Sequence, residues 1–252
     1  KISQDIFIPA GKTKGAVDGH KVVAKITKRS VGRTNPEGVI TEIIGHINDP
    51  GVDILSVIKQ FDLPESFPED VMKQIESIDP DKIDERLIEG RDDYRDILTV
   101  TIDGDDSKDF DDAVSIQKLD NGNYLLGVHI ADVTEYVKEN SPLDKEALKR
   151  GTSIYLVDRV IPMLPHKLSN GICSLNPNAD RLALSCTMEI DKKGNVVNHK
   201  IAKSVIRSDR RMTYHIVNEI LENDNAEYKA EYSDLVDMFK TMLELRNILL
   251  AK

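Results

Sequence analysis

Apolar and polar positions along this chain keep two rhythms, and the change between them divides it. Residues 5–58 carry short apolar stretches punctuated by glycine: Asp5-Ile-Phe-Ile-Pro9, then His20 to Thr27, then Val39 to Ile44 after the turn Asn35-Pro-Glu-Gly38. Within Lys21 to Thr27, Val22, Ala24 and Ile26 face one way and Lys21 and Lys25 the other, the two-residue period of a pleated strand. These stretches predict short strands of a small barrel, too few to close it. Residues 61–95 shift to a helical period. Ser66-Phe-Pro-Glu69 resembles a capping box ahead of Val71, Met72, Ile75 and Ile78, and a second short helix is predicted from Lys82 to Glu89, ending at Gly90.

Strand character returns at Ile97 to Ile102 and resumes at Ala113 to Ile116, before the hairpin signal Asp120-Asn-Gly-Asn123. The next arm, Tyr124 to Ala131, is nearly all apolar, as expected of a strand buried on both faces. A helix is predicted at 142–150, with Ser141 as N-cap, Pro142 at its first position and Gly151 just past its end. Arg181 to Ile190 and Val196 to Ile206 pair across Lys192-Lys-Gly-Asn195. The end is helical: Thr213 to Leu221, then Ser233 to Ala251 with Leu235, Met238, Phe239, Met242, Leu245 and Leu249 on one stripe. The predicted class is α+β: a partial OB-like β-barrel over residues 1–60, an acidic helical linker over 61–96, and a mixed, mainly antiparallel sheet with flanking helices over 97–252.

Composition is ordinary for a folded domain, with 40% hydrophobic and 31% charged residues in 252. No apolar run approaches 18 residues and no signal-peptide pattern opens the chain, so neither membrane insertion nor secretion is expected. Cys173 and Cys186 fit buried thiols in a reducing compartment. The net charge of −10 is unevenly spread. Residues 1–60 hold nine Lys/Arg against six Asp/Glu, residues 61–102 five against thirteen, and residues 113–252 nineteen of each. Lys21, Lys25, Lys28, Arg29 and Arg33 therefore form a basic strand face and loop, readable as a solvated surface or as a nucleic-acid contact.

The remaining acid excess lies in Asp103-Gly-Asp-Asp-Ser-Lys-Asp-Phe-Asp-Asp112, six aspartates against Lys108 alone. Two unit charges about 4 Å apart repel by roughly 4 kcal/mol at an effective dielectric near 20. Strands on both sides keep these carboxylates together, so raised pKa values or a bound divalent cation must offset the repulsion. The EF-hand spacing fails, because its sixth position would be Lys108 and its twelfth Val114. No histidine or cysteine lies in the loop to suit zinc. Oxygen donors at 103, 109, 111 and 112 suit Mg²⁺ or Mn²⁺, often paired about 3.5–4 Å apart where phosphodiesters are cut.

Ile102-Asp-Gly-Asp-Asp-Ser-Lys-Asp-Phe-Asp-Asp-Ala113 closely resembles the I-D-G-x-D-x-x-D-x-D-D-A signature opening the catalytic domain of the ribonuclease II / ribonuclease R family. The resemblance continues through His129-Ile-Ala-Asp-Val133, Gly151-Thr-Ser-Ile-Tyr155, Val160 to Pro165 and Leu168 to Pro177. Asp5 to Pro9 and Asn35 to Gly38 are similar to the family's second cold-shock domain. The family implies processive 3′→5′ hydrolysis of single-stranded RNA to nucleoside 5′-monophosphates with Mg²⁺, Mn²⁺ being the alternative. Carried over by position, Asp103, Asp109, Asp111 and Asp112 are the catalytic and metal-binding aspartates, with Asp111 the most critical for turnover. Tyr155 matches the aromatic that stacks on the terminal base, and Lys21, Lys25, Lys28, Arg29 and Arg33 are candidate RNA contacts.

The family's downstream S-P-I-R-R-Y-like segment and S1 domain are not found in this chain, so weak or no activity is expected of it alone. A noncatalytic RNA-binding protein with structural cations stands as the alternative. The expected partner is single-stranded RNA, with no membrane; a cytoplasmic monomer is expected. His129 and His166 are read as structural, since two-metal chemistry needs no histidine base. Arg207, Arg210 and Arg211 are read either as phosphate contacts or as a solvated face.

Overall fold

The computed structural model describes residues 4–30 and 34–252; Arg33, one of the candidate RNA contacts, lies outside them. In chain order the elements are β1 (His20–Lys28), β2 (Glu37–His46), α1 (Val52–Gln60), α2 (Glu69–Glu76), β3 (Asp92–Asp93), β4 (Thr99–Asp103), β5 (Asp112–Lys118) and β6 (Tyr124–Ala131). Then come α3 (Pro142–Arg150), β7 (Ile154–Tyr155), β8 (Val160–Ile161), β9 (Asp180–Ile190), β10 (Val196–Arg207), β11 (Arg210–Thr213), α4 (Tyr214–Leu221), α5 (Ala226–Glu231) and α6 (Val236–Leu250). They form two compact units, Lys1–Phe67 with Arg150–Met163, and Pro68–Lys149 with Leu164–Lys252.

In the first unit β1 and β2 pair antiparallel, with register shifts that break the strict alternation expected of Lys21 to Thr27. Asp5 to Pro9 is not a strand. It touches β2 through one parallel bridge, where Phe7 N–H donates to Pro36 O (2.8 Å) and Gly38 N–H to Phe7 O (2.9 Å). Helix α1 occupies residues the sequence pattern assigns to strands or leaves open. Its β-branched run folds as a helix because Val52 and Ile58 are buried, and Val52 fits over Gly45, where any side chain would meet it at 2.5 Å. The β7–β8 hairpin completes the unit. Arg150 joins it too, stacking over the Phe67 ring at 3.7 Å and donating to Ser66 O (2.7 Å).

The second unit is built on a seven-stranded sheet, ordered β11-β4-β5-β6-β9-β10-β3. The pairs β11–β4 and β10–β3 are parallel and the other four antiparallel, the mixed and mainly antiparallel sheet predicted. Its two faces differ in chemistry. One is apolar and lies under α4 and α6, where Val100, Met212, Ile220, Leu235, Met238 and Phe239 bury together. Full burial of such side chains contributes about 1.5–3 kcal/mol each. The other face carries Thr99, Thr101, Ser115, His129, Ser185 and Ser204, all buried, and packs on Phe110 and Leu175. Strand β6 is not buried throughout: Ile130, opposite Leu184 on β9, stays 47% exposed.

Helix predictions succeed where caps are explicit. Ser141 Oγ accepts from Asp144 N–H (3.1 Å) at the start of α3, and Gly151 follows it at φ +73°. Thr213 Oγ1 caps α4 through Ile216 N–H (3.2 Å). The predicted capping box does not form, because Pro68 is the N-cap of α2 and no side chain caps it. Lys82 to Glu89 holds only a single 3₁₀ turn at Glu85–Leu87, since Asp84 Oδ1 takes the Arg86 N–H (3.0 Å) in a local turn. The last predicted helix forms as α6, unbroken from Val236 to Leu250, while α5, capped by Asn225, lies between the two predicted C-terminal helices where none was expected.

Candidate active site

Asp103 is the last residue of β4 and Asp112 the first of β5, so the aspartate loop spans two neighbouring strands of the second unit. A turn closes at Gly104–Ser107 (N–H to O, 3.2 Å). Phe110 anchors the rest. It is buried, its N–H donates to Ser174 Oγ (3.0 Å), and its carbonyl accepts from Leu175 N–H (2.8 Å). Asp111 O accepts from Ala131 N–H (2.9 Å), tying the loop to the end of β6. Asp109 and Asp111 thus flank a fixed apolar residue; Asp103 and Asp109 are half-buried, Asp111 and Asp112 exposed.

The Ser174 anchor is held in turn by Arg181, 2% exposed. Its guanidinium donates to Ser174 O (2.8 Å), Asp180 O (2.9 Å), Asp81 O (3.1 Å) and Pro80 O (3.4 Å). Arg211, on β11, reaches the loop itself: Nη2 donates to Asp105 O (2.6 Å) and Gly104 O (3.1 Å), with Ser107 O at 3.5 Å. Arg207 and Arg210, grouped with it in the sequence, pair instead with Asp180 and Asp234.

Burial pushes the Asp103 carboxyl above its usual range, with Asp112 adding to the shift and Arg211 opposing it. Asp111 is also raised, by the desolvation around its carboxyl and then by Asp109 and Asp112. The repulsion inferred from the sequence is therefore present. Asp103 Oδ2 is buried with no hydrogen-bond partner. An all-oxygen donor set, mutual repulsion and an unpartnered carboxylate oxygen fit a hard divalent cation. Among the described residues, no three His, Cys, Asp or Glu side chains are drawn together as a ready-made metal cluster.

His129 is structural. It lies 1% exposed between Ser115 Oγ (3.1 Å) and Ser185 Oγ (2.6 Å), and burial lowers its pKa to about 4. Gly127 leaves room for this network, since a side chain there would sit 2.3 Å from Ser115 Oγ. The other predicted contacts belong to the first unit. Tyr155 lies on β7, 69% exposed. Lys21, Lys25, Lys28 and Arg29 are exposed on and just after β1, and no carboxylate pairs with them among the described residues.

Compared with known protein families, the RNB domain matches residues 91–252, which include this loop, and the cold shock domain matches residues 1–68. The chain belongs to the RNB domain family. Ribonuclease R of Thermotoga maritima is 49% identical to this RNB chain over 251 residues, 99% of the chain and 35% of that protein. Ribonuclease R of Escherichia coli is 40% identical, over 98% of the chain and 30% of the relative. The RNB chain thus spans about a third of the length of these curated relatives. Mycoplasma genitalium RNase R in complex with double-stranded RNA superposes with a TM-score of 0.87 at 26% identity, over 99% of this chain and 44% of that one. Yeast Ssd1, a pseudonuclease, shares the fold at a TM-score of 0.66 and 21% identity, over 81% and 26%. Among the described residues no helix is long and apolar enough to cross a membrane.

Proposed function

We propose that this chain carries the aspartate site and part of the RNA path of a processive 3′→5′ exoribonuclease, which hydrolyses single-stranded RNA to nucleoside 5′-monophosphates. The observation that carries the reading is the loop between β4 and β5, with Asp103, Asp109, Asp111 and Asp112 held there and Asp103 Oδ2 left without a donor. Those four residues would hold Mg²⁺, or Mn²⁺ in its place. When bound, the ions would neutralise charge on the scissile phosphate and lower the pKa of the attacking water, so that it reacts as a nucleophile near neutral pH. The loop backbone is tied down by Ser174 at Phe110 and by Arg211 at the Asp105 carbonyl. Tyr155 offers a stacking surface, and Lys21, Lys25, Lys28 and Arg29 a sequence-blind phosphate contact. A cytoplasmic, monomeric protein fits this role.

The fold alone does not carry the activity, since yeast Ssd1 shares it as a pseudonuclease. The intact aspartates favour hydrolysis over RNA binding with structural cations, because without metal such a cluster repels phosphate. The test is Mg²⁺-dependent degradation of a 5′-labelled single-stranded RNA by a polypeptide of the relatives' full length, beside Asp111→Asn. A ladder shortening from the 3′ end, reduced at least about a hundredfold in the variant, is expected. RNA binding without cleavage in both proteins overturns the reading in favour of the noncatalytic one.

A further inference from the structure

Four buried side-chain polar atoms among the described residues have no hydrogen-bond partner, and three of them are Thr101 Oγ1, Asp103 Oδ2 and Arg211 Nε. Strand register explains the grouping. β11 runs parallel to β4 with Arg211 opposite Thr101 and Thr213 opposite Asp103, so all three residues project from the polar face beside the aspartate loop. Arg211 then spends Nη2 on the carbonyls of Gly104 and Asp105 and rests its guanidinium 5.3 Å from the centre of the buried Phe110 ring. Among the described residues no carboxylate forms an ion pair or hydrogen bond with it, and its bonds go to the backbone of the turn that follows Asp103.

We infer that Arg211 is a positioning residue of the aspartate site: from the neighbouring strand it sets the 104–107 turn and thereby the placement of Asp103 relative to Asp109, Asp111 and Asp112. The inference rests on the metal reading above. A planar fork donating to carbonyls on one side while packing on an aromatic ring is a task lysine cannot reproduce. An arginine reserved for RNA phosphate would instead present its donors to solvent, whereas Nε here is buried.

The experiment is Mn²⁺ binding to the 252-residue chain, followed by loss of the free-ion paramagnetic signal, together with the salt dependence of single-stranded RNA binding. Arg211→Met is expected to weaken Mn²⁺ binding at least about tenfold while leaving the slope of log K against log salt unchanged. Removing a phosphate contact would reduce that slope by about 0.7. In the full-length polypeptide kcat is expected to fall about a hundredfold with little change in KM, the cost of a misplaced reacting group. If Arg211→Met does not fold, Arg211→Lys keeps the charge, loses the fork and is expected to show the same pattern. Unchanged Mn²⁺ binding with a reduced salt slope makes Arg211 a phosphate contact and overturns the inference. Asp103→Asn is the reference: should it weaken Mn²⁺ binding while the Arg211 variants do not, only this inference falls. If Asp103→Asn also leaves binding unchanged, the metal reading fails and this one with it.

Discussion

Arg91→Met is expected to destabilise the second unit severely, and the structure says which charge it strands. The arginine side chain is 4% exposed, and its Nη2 lies 2.8 Å from both Asp132 Oδ2 and Glu135 Oε2. Nε donates to Leu87 O (2.7 Å), and Nη1 reaches Ser204 O (3.3 Å) and Ala183 O (3.4 Å), so one side chain joins β9, β10 and the 3₁₀ turn. Without it Glu135 keeps Lys138 (2.6 Å) and Lys203 (2.9 Å), whereas among the described residues the Asp132 carboxylate keeps only the Thr134 hydroxyl (2.8 Å). Removing one partner of a buried ion pair costs about 3–5 kcal/mol, because the survivor is left charged and unpaired. For a unit of this size each kcal/mol lowers Tm by about 2–4 °C, so a fall of roughly 6–20 °C follows. Adding Asp132→Asn removes the stranded charge and is expected to restore at least about 1 kcal/mol, the coupling of a contacting pair. Urea unfolding measures both, with stability read from the midpoint at constant m. A loss below about 1 kcal/mol, typical of a solvent-exposed pair, would refute the reasoning, as would no recovery in the double variant.

Acid stability has two separable causes. His129 is neutral in the fold with a pKa near 4 against 6.5 when unfolded, so its contribution is complete above pH 6.5 and lost as pH falls to 4. Glu135, lowered from 4.5 to about 2 by hydrogen bonds from Lys138 and Lys203, contributes fully above pH 4.5 and loses that contribution as pH falls to 2. The stability difference between wild type and Glu135→Gln should therefore shrink below pH 4.5; a constant difference contradicts the assignment. Thr213→Ala removes the cap of α4 at the end of the strand that carries Arg211, and should cost about 1 kcal/mol by urea unfolding, with no loss disproving the cap.

What could be read from the sequence follows from how far apart the interacting residues lie. The β5–β6 and β9–β10 hairpins and α3 were legible because turn, cap and apolar period sit within a few residues of one another. Helix α1 was not, since its β-branched composition favours a strand and only packing of Val52 against Gly45 decides otherwise. The aspartates announced themselves by density. The groups that hold them did not: Ser174 lies 64 residues from Phe110, on the segment leading into β9, and Arg211 lies 106 from Asp105, brought near by the β11–β4 register. Arg207, Arg210 and Arg211 look alike in the sequence, yet two pair with carboxylates and one with backbone carbonyls.

The first unit is made from two separated stretches, its second piece, Arg150–Met163, lying inside the span of the second unit. A chain made from its N-terminus therefore cannot finish that unit at residue 67; Ser66 and Phe67 wait for Arg150, and the hairpin bearing Tyr155 arrives later still. By then β4, β5 and β6 have already been synthesised, so the aspartate loop exists as polypeptide before the unit preceding it is complete. For the same reason, cutting the chain at the first junction leaves the Arg150–Met163 excursion behind without its partners. A truncation that isolates the sheet would also have to bridge from Lys149 to Leu164.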